Sequence, residues 1–191
     1  EAQRCLQCKV PMCSKNCPIH TPIPQVIALF KDKKVMQAGE LLFQNNPMSA
    51  VCAVVCNHEA QCRGHCVLGR KSTPIEFHYI EHFISDAFLD RYRPKNIEKN
   101  GKRCAVIGSG PAGLTAAIIL AQKGYDVTVF ERKNQIGGML RYGIPSFRLE
   151  KEVVDAEIDV MKEMGVEFRT CVEVGKDVTI QQLRDEGYAA F

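Results

Sequence analysis

A chain of 191 residues with 46% hydrophobic and 25% charged side chains can bury an ordinary core, and its length suits one or two domains. A formal net charge of +3, spread over both halves with no basic stretch interleaved with aromatics, argues against a nucleic-acid surface. No apolar run reaches the roughly 18 residues of a membrane span, and the opening EAQRCLQCKV has no hydrophobic signal core. Neither nucleic acid nor a membrane is therefore expected as a partner. The chain opens inside a cysteine motif without a methionine, so a preceding segment is expected.

The first predicted feature in chain order is Cys5-x2-Cys8-x4-Cys13-x3-Cys17, followed by Pro18. Such short spacings let a loop wrap several thiolates around one inorganic core, and a terminal Cys-Pro often donates across to a neighbouring cluster. Thr21-Pro22-Ile23-Pro24 leads into a helical apolar run at Val26, Ile27, Leu29 and Phe30. Ala38, Leu41 and Leu42 predict a second amphipathic helix that ends before Asn45-Asn46-Pro47. The second cysteine run is Cys52-x3-Cys56-x5-Cys62-x3-Cys66, after which Pro74 opens a third helix with Phe77, Ile80, Ile84 and Phe88 on one face. No strand alternation occurs in this half, and residues 1–94 are predicted to form a helical domain.

Of the 10 cysteines, all but Cys104 and Cys171 precede residue 67, unlike the spread of a secreted disulfide scaffold. Two runs of four suggest two iron-sulfur clusters, because iron in a sulfide-bridged core prefers soft thiolates and helices around it exclude water. Paired four-cysteine zinc sites are the alternative. Their compact Cys-x2-Cys repeat is not what these irregular spacings provide. His20, His58, His65, His78 and His82 read as surface or packing residues, and Cys104 and Cys171 as buried small hydrophobes in strand-like contexts. The cysteine usage points to the cytoplasm.

Residues 95–103 are charged, punctuated by Gly101, and predicted to be a linker. Beyond them CAVI, GSGPAG, LTAAIILAQKG and DVTVFE read as strand, glycine loop, helix and strand, the start of a Rossmann-like α/β domain over 104–191. Gly108 permits the tight turn, Gly110 lets a pyrophosphate approach the backbone, and Gly113 lets the helix pack on the strand. Ser109, Pro111 and Ala112 complete the loop, whose helix N-terminus faces the phosphates. Glu131 stands where a carboxylate takes ribose hydroxyls and disfavours a 2'-phosphate, which selects FAD or NAD. Gly137-Gly138 offers a second close approach and tips the choice to FAD. A helix from Lys151 to Met164, a strand at VEFR, a capping box at Thr179 and Gln182, and a strand from Tyr188 to Phe191 follow.

Taken together, the two cysteine runs, PIEFHYIEHFISD, GSGPAG, Glu131 and GGMLRYGIPSFRLEK resemble the small (beta) subunit of glutamate synthase and its relatives. Those relatives include the N-terminal part of dihydropyrimidine dehydrogenase and the large subunit of the NADH-dependent ferredoxin:NADP oxidoreductase. The resemblance implies two 4Fe-4S clusters with exchanged ligands: Cys5, Cys8, Cys13 and Cys66 at one, and Cys17, Cys56 and Cys62 at the other. For the fourth ligand of the second, the resemblance favours Glu81, and donor softness favours Cys52.

It further implies FAD with its isoalloxazine near Gly138 to Arg148, so that Arg132, Met139, Leu140 and Arg148 join the loop residues as cofactor contacts, with Arg141 and Tyr142 as further candidates. The implied function is passage of electrons from NADPH through FAD and both clusters to the glutamate synthase large subunit or another redox subunit. NADPH would be held by a later part of the protein. The chain is thus expected to be a fragment with an incomplete FAD domain, inactive alone. The electron-bifurcating oxidoreductase and a non-catalytic iron-sulfur interaction module are the alternatives.

Overall fold

The computed structural model describes residues 1–94 and 97–191, which fall into two compact units, Glu1–Arg91 and Tyr92–Phe191. Lys95 and Asn96 of the predicted linker lie outside the described residues. Among the described residues, no helix is long and apolar enough to cross a membrane.

The first unit is helical: α1 (Met12–Lys15), α2 (Ile23–Lys31), α3 (Val35–Asn45), α4 (Ser49–Val55) and α5 (Phe77–Leu89), with 3-10 turns at Ala2–Arg4 and Val67–Arg70. Pro22 and Pro24 stand at the start of α2, where a missing N–H costs nothing, and Val26 and Ile27 turn wholly inward. Helix α5 starts three residues after Pro74 and buries Phe77, Ile80, Ile84 and Phe88, the face its spacing predicts. Phe88 meets Phe43 of α3 at 5.5 Å between ring centroids, and Ser85 hydrogen-bonds Ser49 of α4 at 2.9 Å between the hydroxyl oxygens. Helix α4 escaped the sequence reading because Ser49, Ala50, Val51 and Ala53 are all buried, which leaves no polar face to mark a period.

The second unit is a four-stranded, all-parallel sheet in the order β3-β2-β1-β4, from β1 (Arg103–Ile107), β2 (Asp126–Glu131), β3 (Glu167–Thr170) and β4 (Tyr188–Ala190). Strands β1 and β2 pair from Arg103 opposite Asp126 to Ile107 opposite Phe130. This is the strand order of the first Rossmann half, with the glycine loop at the carboxyl end of β1. Helices α6 (Pro111–Gln122), α7 (Met139–Tyr142), α8 (Lys151–Glu163) and α9 (Ile180–Asp185) complete it. Thr179 and Gln182 form the predicted capping box on α9. Cys104 is buried on β1, whereas Cys171, also expected to be buried, is exposed at φ 58°. The reason is local: β3 ends at Thr170, and Cys171 turns to donate its N–H to the Lys133 carbonyl.

Candidate cluster and dinucleotide sites

Two cavities in the helical unit gather the cysteines. The first, about 30 Å³, is lined by Cys5, Cys8 and Cys13 of the first run and by Cys62 and Cys66 of the second. The second, about 180 Å³, is lined by Cys17, Cys52, Cys56, Cys62 and Glu81. Each draws on both runs, and Cys62 stands in the wall of both. The helices account for this crossing: α2 and α3 separate the runs in sequence, and the packing of α5 against α3 and α4 returns Glu81 to the end of the first run.

Burial dominates the chemistry here. It pushes the Cys62 thiol up to about 12, with the neighbouring Glu81, Cys56 and Cys17 adding to the effect. The Cys56 thiol is raised by burial and then by Glu81 and Cys17, and Cys13 by burial, with Cys66 and Cys5 contributing. Burial alone lifts the Glu81 carboxyl to about 8. Glu81 is thus the charge to which both Cys56 and Cys62 respond most, which groups it with them electrostatically.

These groups are neutral at pH 7 as they stand, and a cationic iron core is what would hold them as thiolates and carboxylate. Among the described residues, no three His, Cys, Asp or Glu side chains gather closely enough to hold a single metal ion. The donor set, thiols of both runs with one carboxyl, is of the kind that iron in a sulfide-bridged core takes. Polar neighbours reach several sulfurs: Gln7 Nε2 lies 3.6 Å from Cys5 Sγ, Ile75 N 3.5 Å from Cys66 Sγ, and Thr21 Oγ1 3.3 Å from Cys17 Sγ. Among the histidines, His58 lines the second cavity and stacks on His78 at 4.5 Å between centroids.

The α/β unit carries a cleft of about 470 Å³ at the carboxyl ends of β1 and β2, lined by Gly108, Glu131, Arg132, Gly138, Met139 and Tyr142 among the predicted residues. Gly110 caps α6, and Pro111 is its first residue. A Cβ at Gly113 would overlap the Gly108 carbonyl oxygen, so only glycine lets the helix sit this close to the loop. Gly138 has φ 51°, and a Cβ there would stand 2.7 Å from Gly110 Cα, so the second glycine pair packs directly on the first loop.

Ser109, wholly buried, joins them. Its N–H and hydroxyl donate to Glu131 Oε2 at 2.9 and 2.5 Å, and its hydroxyl oxygen accepts from Gly137 N at 3.2 Å. Lys133 N donates to Glu131 Oε1 at 2.9 Å. Burial would raise the Glu131 carboxyl, but the donors of Ser109 and Lys133 outweigh it and hold it below the usual carboxylate range. Glu131 therefore braces the loop as well as facing the cleft.

Leu140 is buried, and Arg148 is exposed outside the residues lining the cleft. Lys133 and Val172 to Val174 line it without having been singled out from sequence. Val172 is tied to Glu131 through a backbone bond, and the turn after β3 was the available signal.

The fold and its sites define a helical iron-sulfur domain followed by a Rossmann-like dinucleotide-binding domain. Residues 1–105 match the family described as dihydropyrimidine dehydrogenase domain II, 4Fe-4S cluster, to which the chain belongs, and residues 106–165 match an NAD(P)-binding Rossmann-like domain. Over 194 residues the chain is 39% identical to the glutamate synthase [NADPH] small chain of Escherichia coli (strain K12), covering 100% of this chain and 41% of that one. Over 195 residues it is 38% identical to the NAD-dependent dihydropyrimidine dehydrogenase subunit PreT of Escherichia coli O157:H7, covering 100% and 47%. The chain thus spans less than half the length of these relatives.

Proposed function

We propose that this chain is the electron-transfer part of an NADPH-dependent oxidoreductase of the glutamate synthase small-subunit kind. In this reading residues 1–94 hold two 4Fe-4S clusters, residues 95–103 link the domains, and residues 104–191 bind FAD. Cys5, Cys8, Cys13 and Cys66 hold one cluster, and Cys17, Cys56, Cys62 and Glu81 the other. The observation that carries the reading is the pair of cysteine cavities sharing Cys62 within one small helical unit, in a chain that also builds a dinucleotide cleft. The two cavities share Ile23, Cys62 and Phe77 in their walls, so clusters held in them would be neighbours.

When bound, FAD would supply hydride acceptance from NADPH and single-electron release, and 4Fe-4S clusters would supply one-electron relay. The chain's own residues supply placement. The α6 N-terminus and the Gly108 to Gly113 loop receive the pyrophosphate, Glu131 braces that loop and takes ribose hydroxyls, and the buried Ile23 and Phe77 in both cavity walls limit water at the sulfurs. Arg132, Met139, Leu140 and Arg148 complete the flavin surroundings, and NADPH is held by another part of the full protein. Electrons leave to a partner subunit in the cytoplasm, the glutamate-forming large subunit in the preferred reading. Near-equal identity to PreT favours a dihydropyrimidine dehydrogenase-type partner as the second reading.

Anaerobic reconstitution with iron, sulfide and FAD tests the proposal. A brown protein holding both clusters and a flavin, bleached by dithionite, is expected. A colourless protein with stoichiometric zinc overturns it, and clusters that neither dithionite nor a partner reduces leave only an interaction module. Identifying the co-purifying subunit decides between the two terminal reactions.

A further inference from the structure

The segment from Asn134 to Glu150 holds little regular structure, only the four residues of α7, yet three side chains fasten it. The Tyr142 hydroxyl donates to Asn134 Oδ1 at 2.9 Å and accepts from Gln135 N at 3.1 Å. Arg141 Nε donates to the Ile136 carbonyl at 2.7 Å, and its other end pairs with Asp155 of α8. The Lys151 ammonium donates to the carbonyls of Leu140 at 2.9 Å and Ile144 at 2.5 Å. Leu149, fully buried, pins the segment from below. A lysine at the first position of a helix is electrostatically misplaced, because the N-terminus already carries partial positive charge. Its ammonium instead reaches back to carbonyls at and just beyond the end of α7, where positive charge is favoured.

The result is a turn whose own backbone bonds begin at Leu140 N, while Gly138 and Met139 face the cleft. We propose that Lys151 is a positioning residue for the flavin: by bridging the Leu140 and Ile144 carbonyls it fixes the Gly138–Met139 backbone at the distance and angle at which it meets the bound cofactor. Arg141 and Asp155 brace the same turn from its other side. The inference rests on the reading of the cleft as an FAD site. Lys151 itself lies outside the residues lining the cleft, so it acts through the backbone and not by contact.

The test compares wild type with K151M, which keeps the length and loses the charge, and K151R, which restores a cation, in the protein that carries this chain. Hydrogen exchange of the 139–148 amides before FAD is added reads the clamp, and FAD affinity with the visible flavin spectrum reads its consequence. K151M is expected to exchange faster in that segment, bind FAD roughly tenfold more weakly and shift the flavin band, with K151R returning toward wild type, the scale of one to two charge-assisted hydrogen bonds. FAD affinity and spectrum unchanged in K151M overturn the role of Lys151. A wild-type protein that takes up no FAD overturns the underlying flavin reading instead. Should K151M fail to fold, K151Q, which loses the charge but stays polar, gives the same comparison: weaker FAD binding with a shifted band supports the clamp, and wild-type binding overturns it.

Discussion

In residues 1–91 the reactive side chains are part of the packing. Cys62 sits in the core with Ile27, Phe77 and Ile80, Cys5, Cys13 and Cys66 pack against it, and Glu81 is 7% exposed. In residues 92–191 the core is mostly apolar strand and helix, and its buried functional polar groups, Ser109 and Glu131 at the sheet's carboxyl ends, hydrogen-bond each other and neighbouring backbone N–H groups. The first unit thus buries groups that are costly to bury alone and that an iron core would neutralise, while the second satisfies its buried Ser109 and Glu131 with its own hydrogen bonds. Iron should therefore hold the first unit together, whereas a nucleotide should merely occupy the second.

The largest effect that would break this contrast is iron removal. Chelating the reconstituted protein should abolish cooperative unfolding of the helical unit, a loss of several kcal/mol on the order seen for structural metals, and leave the sheet unit protected from hydrogen exchange. An iron-free helical unit that melts as sharply as before would erase the distinction. Next, E81A should lose half of the iron while C52A keeps it all. Iron loss in C52A with none in E81A reverses the ligand assignment.

On the other side, G113V forces a side chain onto the Gly108 carbonyl. It should cost roughly 3 kcal/mol and abolish dinucleotide binding, with iron content unchanged, as metal analysis and flavin titration would show.

The smallest effect is acid dependence at Glu131. Its folded carboxyl lies below the ordinary 4.5, so its contribution is complete above that pH and is lost as pH falls through the lower folded value. E131Q should cost about 1–2 kcal/mol at pH 7 and flatten that acid limb in thermal melts of the α/β unit.

The α/β unit was the more legible in sequence. Its glycine loop, short apolar strands, capping box and the helix from Lys151 all lie in local patterns. Helix α7 did not, because four residues are too few for a period, and Arg141 and Lys151 look like ordinary surface cations until their carbonyl partners come near. In the helical unit, spacing named the eight cysteines but could not pair them across the runs, since the crossing depends on how α5 packs. The resemblance supplied that pairing; the cavities draw on both runs, but Cys62 lines both and Cys52 lines the second. Cys171 misled for the opposite reason: its neighbours are strand-like, but the strand ends one residue earlier.

The crossed cavities also carry a consequence for biosynthesis. Neither wall set is complete in the nascent chain when the first cysteine run leaves the ribosome. The first cavity waits for Cys66 and Phe77, and the second for Glu81. At roughly 5–20 residues per second, the early thiols spend several seconds without their partners. Iron delivered to both sites would thus meet a helical unit with α5 already in place, and a truncation before α5 should leave a polypeptide without the second site.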